Sequence, residues 1–546
     1  MQKNLPLLPR KIITIAACVL FFSGIAKAQS VYLPQSYQLY QKFNAQVYSK
    51  SNGMHTSLRP FLIDSSLTAR YNELMSVGVK TDRKNWFGRK LLNEHLIDVQ
   101  TKDYTFYADI LIDNIFGKDF KDKSNTPAAF KPFGYGLKTP LGINTRGFQV
   151  GGTIGKKFSF YTSAYENQAV FPNYYNKYVD SSGFIPGQAY DRSFGKAQKD
   201  YSYVTAMLSY TPSKHFNVAL GQDKTFIGDG YRSLLLSDFS ANYPLLRMTA
   251  NIGPVQYMMM WTYLQDIKAP KFDDFGSNRR KYALYHYLDW NATKSLSLGF
   301  FNAVITPEAD DQDNRHGFDV NYINPLFFTA GNNSATPNNV LFGFTGKYKV
   351  FDKNALYAQV ILDNQKTTAG ASKSSNGYQI GLRGGDVGGV KNLSYLVEFN
   401  TVKPYTYSDA NMLASYTFYG DPLAHPLGAN FREFVGLINY SIGRFDFQGQ
   451  LNYAKYGLDN AGDNNGKNIN APYPATPNLT PTVGQGLTTD LYYGEGTVSF
   501  LVNPKYNLRF ELGGLYRTEK NALGERKNAV ITFGVRTTFR NLYHDF

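Results

Sequence analysis

Cysteine is nearly absent: Cys18 is the only one in 546 residues. A disulfide framework and thiolate-based metal or nucleophile sites are therefore excluded for a chain that loses its first residues. Past residue 28 no apolar run approaches the length of a membrane-spanning helix. The histidines, His55, His95, His215, His286, His316, His425 and His544, are scattered without ligand spacing. No Gly-x-Ser-x-Gly elbow or other hydrolase motif appears, so nothing supports an enzyme, and no cofactor or metal is expected. Glu308 to Asn314 is acidic but lacks the regular spacing and distal glutamate of a calcium loop, and reads as a solvated acidic stretch. Asp459 to Gly466 reads as a turn-rich loop.

What is present sets compartment and class. Lys3, Arg10 and Lys11 precede an apolar run from Ile12 to Ile25, and Ala26-Lys27-Ala28 supplies small residues at the cleavage positions, the pattern of a signal peptide spanning 1–28. Ile15-Ala16-Ala17-Cys18 resembles a lipoprotein box, but it would strand Val19 to Phe22 beyond the lipidated cysteine. The chain holds 42 tyrosines and 40 phenylalanines, and only 18% of its residues are charged. That balance, with a mean hydropathy of -0.36, suits a wall with one face in lipid, one in water and aromatic girdles at both interfaces.

Residues 29–100 differ from the rest. Tyr37, Tyr40, Phe43, Val47 and Tyr48 recur at helical spacing after Ser36, as do Leu67, Tyr71, Leu74 and Met75 after Ser65 and Ser66. Trp86, Phe87, Leu91, Leu92, His95 and Leu96 form a third helical cluster. This segment is expected to be periplasmic, either plugging the barrel or packing against it as an appendage.

From residue 101 to 546 the period is two. Tyr104, Phe106, Ala108, Ile110 and Ile112 can face lipid, while Thr105, Tyr107, Asp109, Leu111 and Asp113 face a wet interior. About eighteen such runs start near residues 104, 143, 157, 201, 215, 244, 254, 280, 294, 340, 354, 377, 391, 429, 443, 487, 505 and 528. Short turns, such as Gly155 to Lys157, Thr211 to Lys214, Asn251 to Pro254, Phe351 to Asn354 and Ser441 to Arg444, alternate with long loops such as 168–200, 266–279, 307–339, 403–428 and 456–486. This predicts an all-β, antiparallel outer-membrane β-barrel of about 18 strands with short turns on the periplasmic side. The last run continues its alternation from Ile531 to Arg540, and Phe546 reads as the terminal aromatic of a barrel-insertion signal.

One loop stands apart. Gly221 to Asp238 lies between the strand-like run from Asn217 and the aromatic run Pro254 to Tyr263. It is too polar for lipid and too apolar to hang in water, and is expected to fold back inside the barrel.

Four stretches carry a resemblance: Gly228-Asp229-Gly230-Tyr231-Arg232-Ser233-Leu234-Leu235-Leu236-Ser237, Tyr322-Ile323-Asn324-Pro325-Leu326, Leu356-Tyr357-Ala358-Gln359-Val360-Ile361-Leu362-Asp363, and Pro422-Leu423-Ala424-His425-Pro426-Leu427-Gly428-Ala429-Asn430-Phe431. They resemble the Wzi type of capsule-assembly outer-membrane protein, and within it the Bacteroidota branch labelled gliding motility protein RemB. Tyr231 stands where that family leads one to expect a more tryptophan-rich loop. The resemblance implies an eighteen-stranded barrel with a helical periplasmic part, occluding outer loops, and a non-enzymatic role in organising surface polysaccharide or in surface motility.

Losing Lys3, Arg10, Lys11 and Lys27 with the signal takes the formal charge from +15 to +11. Such a surface attracts anions, so the expected partners are outer-membrane lipid and lipopolysaccharide, anionic surface polysaccharide, and motility or envelope proteins. No helix is fit to read nucleic acid. Arg146, Lys224, Arg232 and Arg247 could hold a sugar's carboxylate or phosphate, or pair with lumenal acids such as Asp229, Asp238 and Glu398. Tyr174, Tyr175, Tyr405 and Tyr407 could stack on sugar faces, or pack the loops and interfacial girdle. The alternative function is a diffusion channel or transporter for anionic solutes, since barrels this wide can hold an open lumen.

Overall fold

The computed structural model describes residues 31–122, 141–193, 198–267, 278–310, 314–316, 320–325, 338–363, 375–459, 462–474 and 480–546. The signal segment with Cys18, most of the 266–279 and 307–339 loops, part of the Glu308 to Asn314 stretch, Asn460 and Ala461, and Leu326 lie outside these.

Eighteen antiparallel strands close into a barrel. They are β1 Tyr104–Asp119, β2 Leu141–Ile154, β3 Phe158–Val170, β4 Lys199–Ser213, β5 Phe216–Asp223, β6 Tyr243–Ile252, β7 Val255–Asp266, β8 Arg279–Asn291 and β9 Leu296–Pro307. The second half comprises β10 Asn339–Tyr348, β11 Asn354–Asp363, β12 Ser375–Gly385, β13 Leu393–Val402, β14 Phe431–Ile442, β15 Phe445–Leu458, β16 Leu487–Asn503, β17 Leu508–Asn521 and β18 Gly524–Arg536. Each begins within four residues of its expected start. Several strand limits differ from expectation: Thr211, Pro212 and Ser213 belong to β4, Asn251 and Ile252 to β6, Asn354 to β11 and Ser441 and Ile442 to β14 rather than to turns, and the turn from β17 to β18 is short although it lies at the long-loop end.

The side-chain period builds the wall. Ile110 and Phe533 point outward and are 65% and 58% exposed, whereas Asp109 and Asp113 are buried inside. The interior is not uniformly wet, however. Met258 and Met260 of β7, Tyr285 and Tyr287 of β8 and Phe301 of β9 face inward into an apolar core with Leu234, Leu235 and Leu236. This explains why β7 lacks alternation: its outer face meets lipid and its inner face meets a folded-in loop. On the outer face, Tyr322 packs over Met259, Leu284 and Val304, and its carbonyl accepts the Trp261 indole N–H at 2.9 Å.

Among the described residues, four helices precede the barrel: α1 Tyr37–Gln41, α2 Asn44–Val47, α3 Ser65–Met75 and α4 Trp86–Leu92. Asp64 caps α3, accepting the Ser66 and Leu67 amides at 2.8 and 3.1 Å. The first cluster forms two short helices rather than one, and His95 and Leu96 lie beyond α4. The segment sits at the short-turn end, fastened mainly to the β8–β15 side. Lys42 pairs with Asp446 at 2.8 Å, Ser49 donates to Asp352 at 2.8 Å, and Arg70 donates to Asn392 at 2.8 Å. His55 lies 2.9 Å from Asp289.

The chain's last residues depart most from expectation. β18 ends at Arg536 because Asp113 takes the Thr537 and Thr538 amides at 2.9 and 3.2 Å and turns the backbone inward. Phe539, Arg540 and Phe546 therefore do not extend the terminal strand: residues 537–546 run through the lumen, and Phe546 is buried beside Tyr174, Tyr175 and Tyr178.

Candidate functional site

The lumen is organised around the loop joining β5 to β6. Leu58 and Arg59 pair in antiparallel register with Ile227 and Phe226, tying the loop to the N-terminal segment. Asp229 then gathers the hydroxyls of Tyr48, Thr56 and Ser57 at 2.9, 2.5 and 2.6 Å. Burial alone would raise the Asp229 carboxyl, but Lys347, the Ser57 and Thr56 hydroxyls and Arg383 outweigh it and hold it at about 2.

Three residues on, Arg232 lies fully buried against Glu433 at 3.1 Å and Asp545 at 2.7 Å. Its backbone N–H and that of Tyr231 donate to Glu398 at 3.2 and 3.0 Å. Glu433 also meets His425 Nε2 at 2.7 Å, while His425 Nδ1 accepts the Leu427 amide, so Nε2 carries the proton. Arg232 thus joins the inward loop, the wall and the tail in one ionic network.

The other candidate side chains have partners of their own. Lys224 donates to the carbonyls of Gly187 and Asp238 at 2.5 and 2.9 Å, and burial pushes its ammonium down to about 8 against the pull of Asp238, Asp223 and Asp421. Arg247 donates to Thr225 at 2.8 Å and covers the Tyr32 ring at 4.9 Å. Tyr407 donates to the Leu234 carbonyl at 2.7 Å, and Tyr405 to the Asn464 carbonyl at 2.8 Å. Tyr174 and Tyr175 stand on a helix, α5 Asn173–Ser182. Tyr174 donates to the His544 carbonyl at 2.8 Å under the Arg517 guanidinium, and Tyr175 stacks on Phe171 at 4.1 Å. Arg146 is separate from all of these: it faces outward and is exposed, in register with Glu166.

Sequence reasoning selected side chains of suitable chemistry, and the structure brings Lys224, Arg232, Arg247, Tyr174, Tyr175 and Tyr407 into the lumen as packing partners. It placed Asp113 in the lumen without its partners in the tail, and it missed Glu433 and Asp545, which meet Arg232 from 201 and 313 residues away.

Neither a family model nor a curated protein sequence matches the chain. Solved structures do. Wzi, an outer-membrane protein involved in group 1 capsule assembly in Escherichia coli and described as a carbohydrate-binding β-barrel, aligns with a TM-score of 0.56 at 14% identity, covering 94% of this chain and all of Wzi. The two share a fold. OprD of Pseudomonas aeruginosa aligns with a TM-score of 0.40 at 10% identity over 79% of this chain and 94% of its own. A BenF-like porin from Pseudomonas fluorescens Pf-5 gives 0.42 at 9% identity over 79% and 99%. The architecture is that of an outer-membrane barrel. Among the described residues, no three His, Cys, Asp or Glu side chains are grouped to hold a metal ion.

Proposed function

We propose that this protein is a non-catalytic outer-membrane barrel that binds or organises anionic polysaccharide at the cell surface, with its short turns and N-terminal segment in the periplasm. The observation that carries this reading is the filling of the lumen. The N-terminal segment, the 224–242 loop and the 537–546 tail meet inside the barrel and are cross-bonded through Asp229 and Arg232. Interlocked side chains suit a binding scaffold better than a diffusion channel, for which this filling would have to be displaced. The likeness to Wzi supports the same reading, and the basic surface charge favours an acidic polymer.

Arg146 is the exposed member of the candidate ligand set and is the one free to meet lipopolysaccharide or glycan directly. The finer likeness to the gliding branch adds a role in surface motility, with envelope proteins as partners, to this proposal.

The test is genetic and chemical. Deleting the chain from its bacterium should move acidic polysaccharide from the cell-bound to the shed fraction, measured as uronic acid. An unchanged cell-bound fraction, with unchanged colony spreading, contradicts the reading.

A further inference from the structure

The N-terminal segment does not fill the short-turn end evenly. Its polar fastenings run mainly to the β8–β15 side, and beside it a cavity of about 920 Å³ remains along β1–β4. This is within the range of ligand pockets, roughly 300–1,000 Å³. Gly155 and Lys156 of one short turn and Lys505 of another lie at its mouth, and Phe539 and Arg540 of the tail form its inner end. The cavity therefore opens at the end opposite the long loops.

Its wall has a distinct composition. Tyr107 of β1, Tyr161 and Tyr165 of β3 and Tyr203 of β4 all point inward. Between them stand short polar groups, including Gln149, Thr153 and Ser163. Gly151 makes room for one ring: a Cβ there would lie 2.4 Å from the Tyr107 hydroxyl oxygen. One face of Tyr107 is stacked on His95 at 4.4 Å, and Arg540 lies over Tyr165 at 5.0 Å, so these rings are held in place while still bordering the cavity.

We infer that this tyrosine-lined vestibule is a binding site for an acidic saccharide chain entering from the short-turn, periplasmic end. The inference rests on the polysaccharide reading above and adds to it the location of the contact. Rings and flanking hydroxyls and amides match the apolar faces and hydroxyl edges of sugars. Lys156 and Lys505 at the mouth, in no ion pair among the described residues, supply attraction for carboxylate or phosphate on the chain. A peptide strand fits less well, because the strands lining the vestibule are hydrogen-bonded on both edges and leave no edge to extend.

The test is binding of a fluorescent hexauronate to the purified full-length protein in detergent, where both ends are accessible. The variants are the pair Tyr107→Ala with Tyr161→Ala and, as a route that leaves the rings intact, Thr153→Cys carrying a bulky maleimide at the mouth. Resistance to SDS at room temperature confirms that each variant is folded. Affinity at least tenfold weaker in a folded ring variant, or in the labelled Cys variant, is the expected result. Full-strength binding by both folded variants overturns the vestibule while leaving a polysaccharide-binding barrel intact. No binding of any acidic oligosaccharide or polymer by the wild type overturns both.

Discussion

Arg232 illustrates how much of the lumen depends on a single side chain. Its guanidinium sits between Glu433 and Asp545, both buried. Replacing it with Met leaves these carboxylates uncompensated, and removing one partner of a buried pair costs about 3–5 kcal/mol. Arg232→Met should therefore lower the thermal unfolding temperature in detergent markedly, and adding Glu433→Gln should recover part of the loss. Equal stability of Arg232→Met and wild type would show that the network is not what joins loop, wall and tail. Asp229 makes a pH prediction. Its carboxyl is held at about 2 against an ordinary 3.8, so its contribution is fully present above pH 3.8 and is lost as pH falls through 2. That contribution is worth about 2 kcal/mol. The unfolding temperature should fall between pH 4 and pH 2, and Asp229→Asn should flatten that part of the profile.

At the scale of elements, the inward loop depends on the wall leaving it space. Leu235 presses on β10 where Gly343 has no side chain, and a Cβ there would lie 2.4 Å from the leucine Cδ2. Burying one leucine is worth about 1.5–3 kcal/mol, so Gly343→Val should expel the Leu234 to Leu236 stretch and open the loop to proteolysis. Protection equal to wild type would place the loop's anchorage elsewhere. The elements differ in how legible they were. The strands were readable because a wall between lipid and lumen imposes period two, as along Tyr104 to Asp113. The tail was not, because Thr537 and Phe539 continue the alternation after the strand has ended. What ends it is Asp113, distant in sequence, and alternation carries no information about such a partner. For the same reason the types of Arg146 and Arg232 were informative but their directions were not: one faces outward and the other sits in the lumen.

For the whole molecule, alternation of short and long connections revealed a barrel, and the apolar Leu234 to Leu236 within a polar loop indicated that something folds back inside. How completely the lumen is filled depends on contacts such as Lys42 with Asp446 and Arg232 with Asp545, which join residues hundreds of positions apart. A filled lumen has an electrical consequence. The most direct measurement is single-channel conductance of the full-length protein in planar bilayers, compared with a variant lacking residues 31–93. A silent intact barrel that shows discrete conductance steps only after the deletion is the expected result. Steady, anion-selective current through the intact protein would contradict a filled binding scaffold and establish a channel in its place.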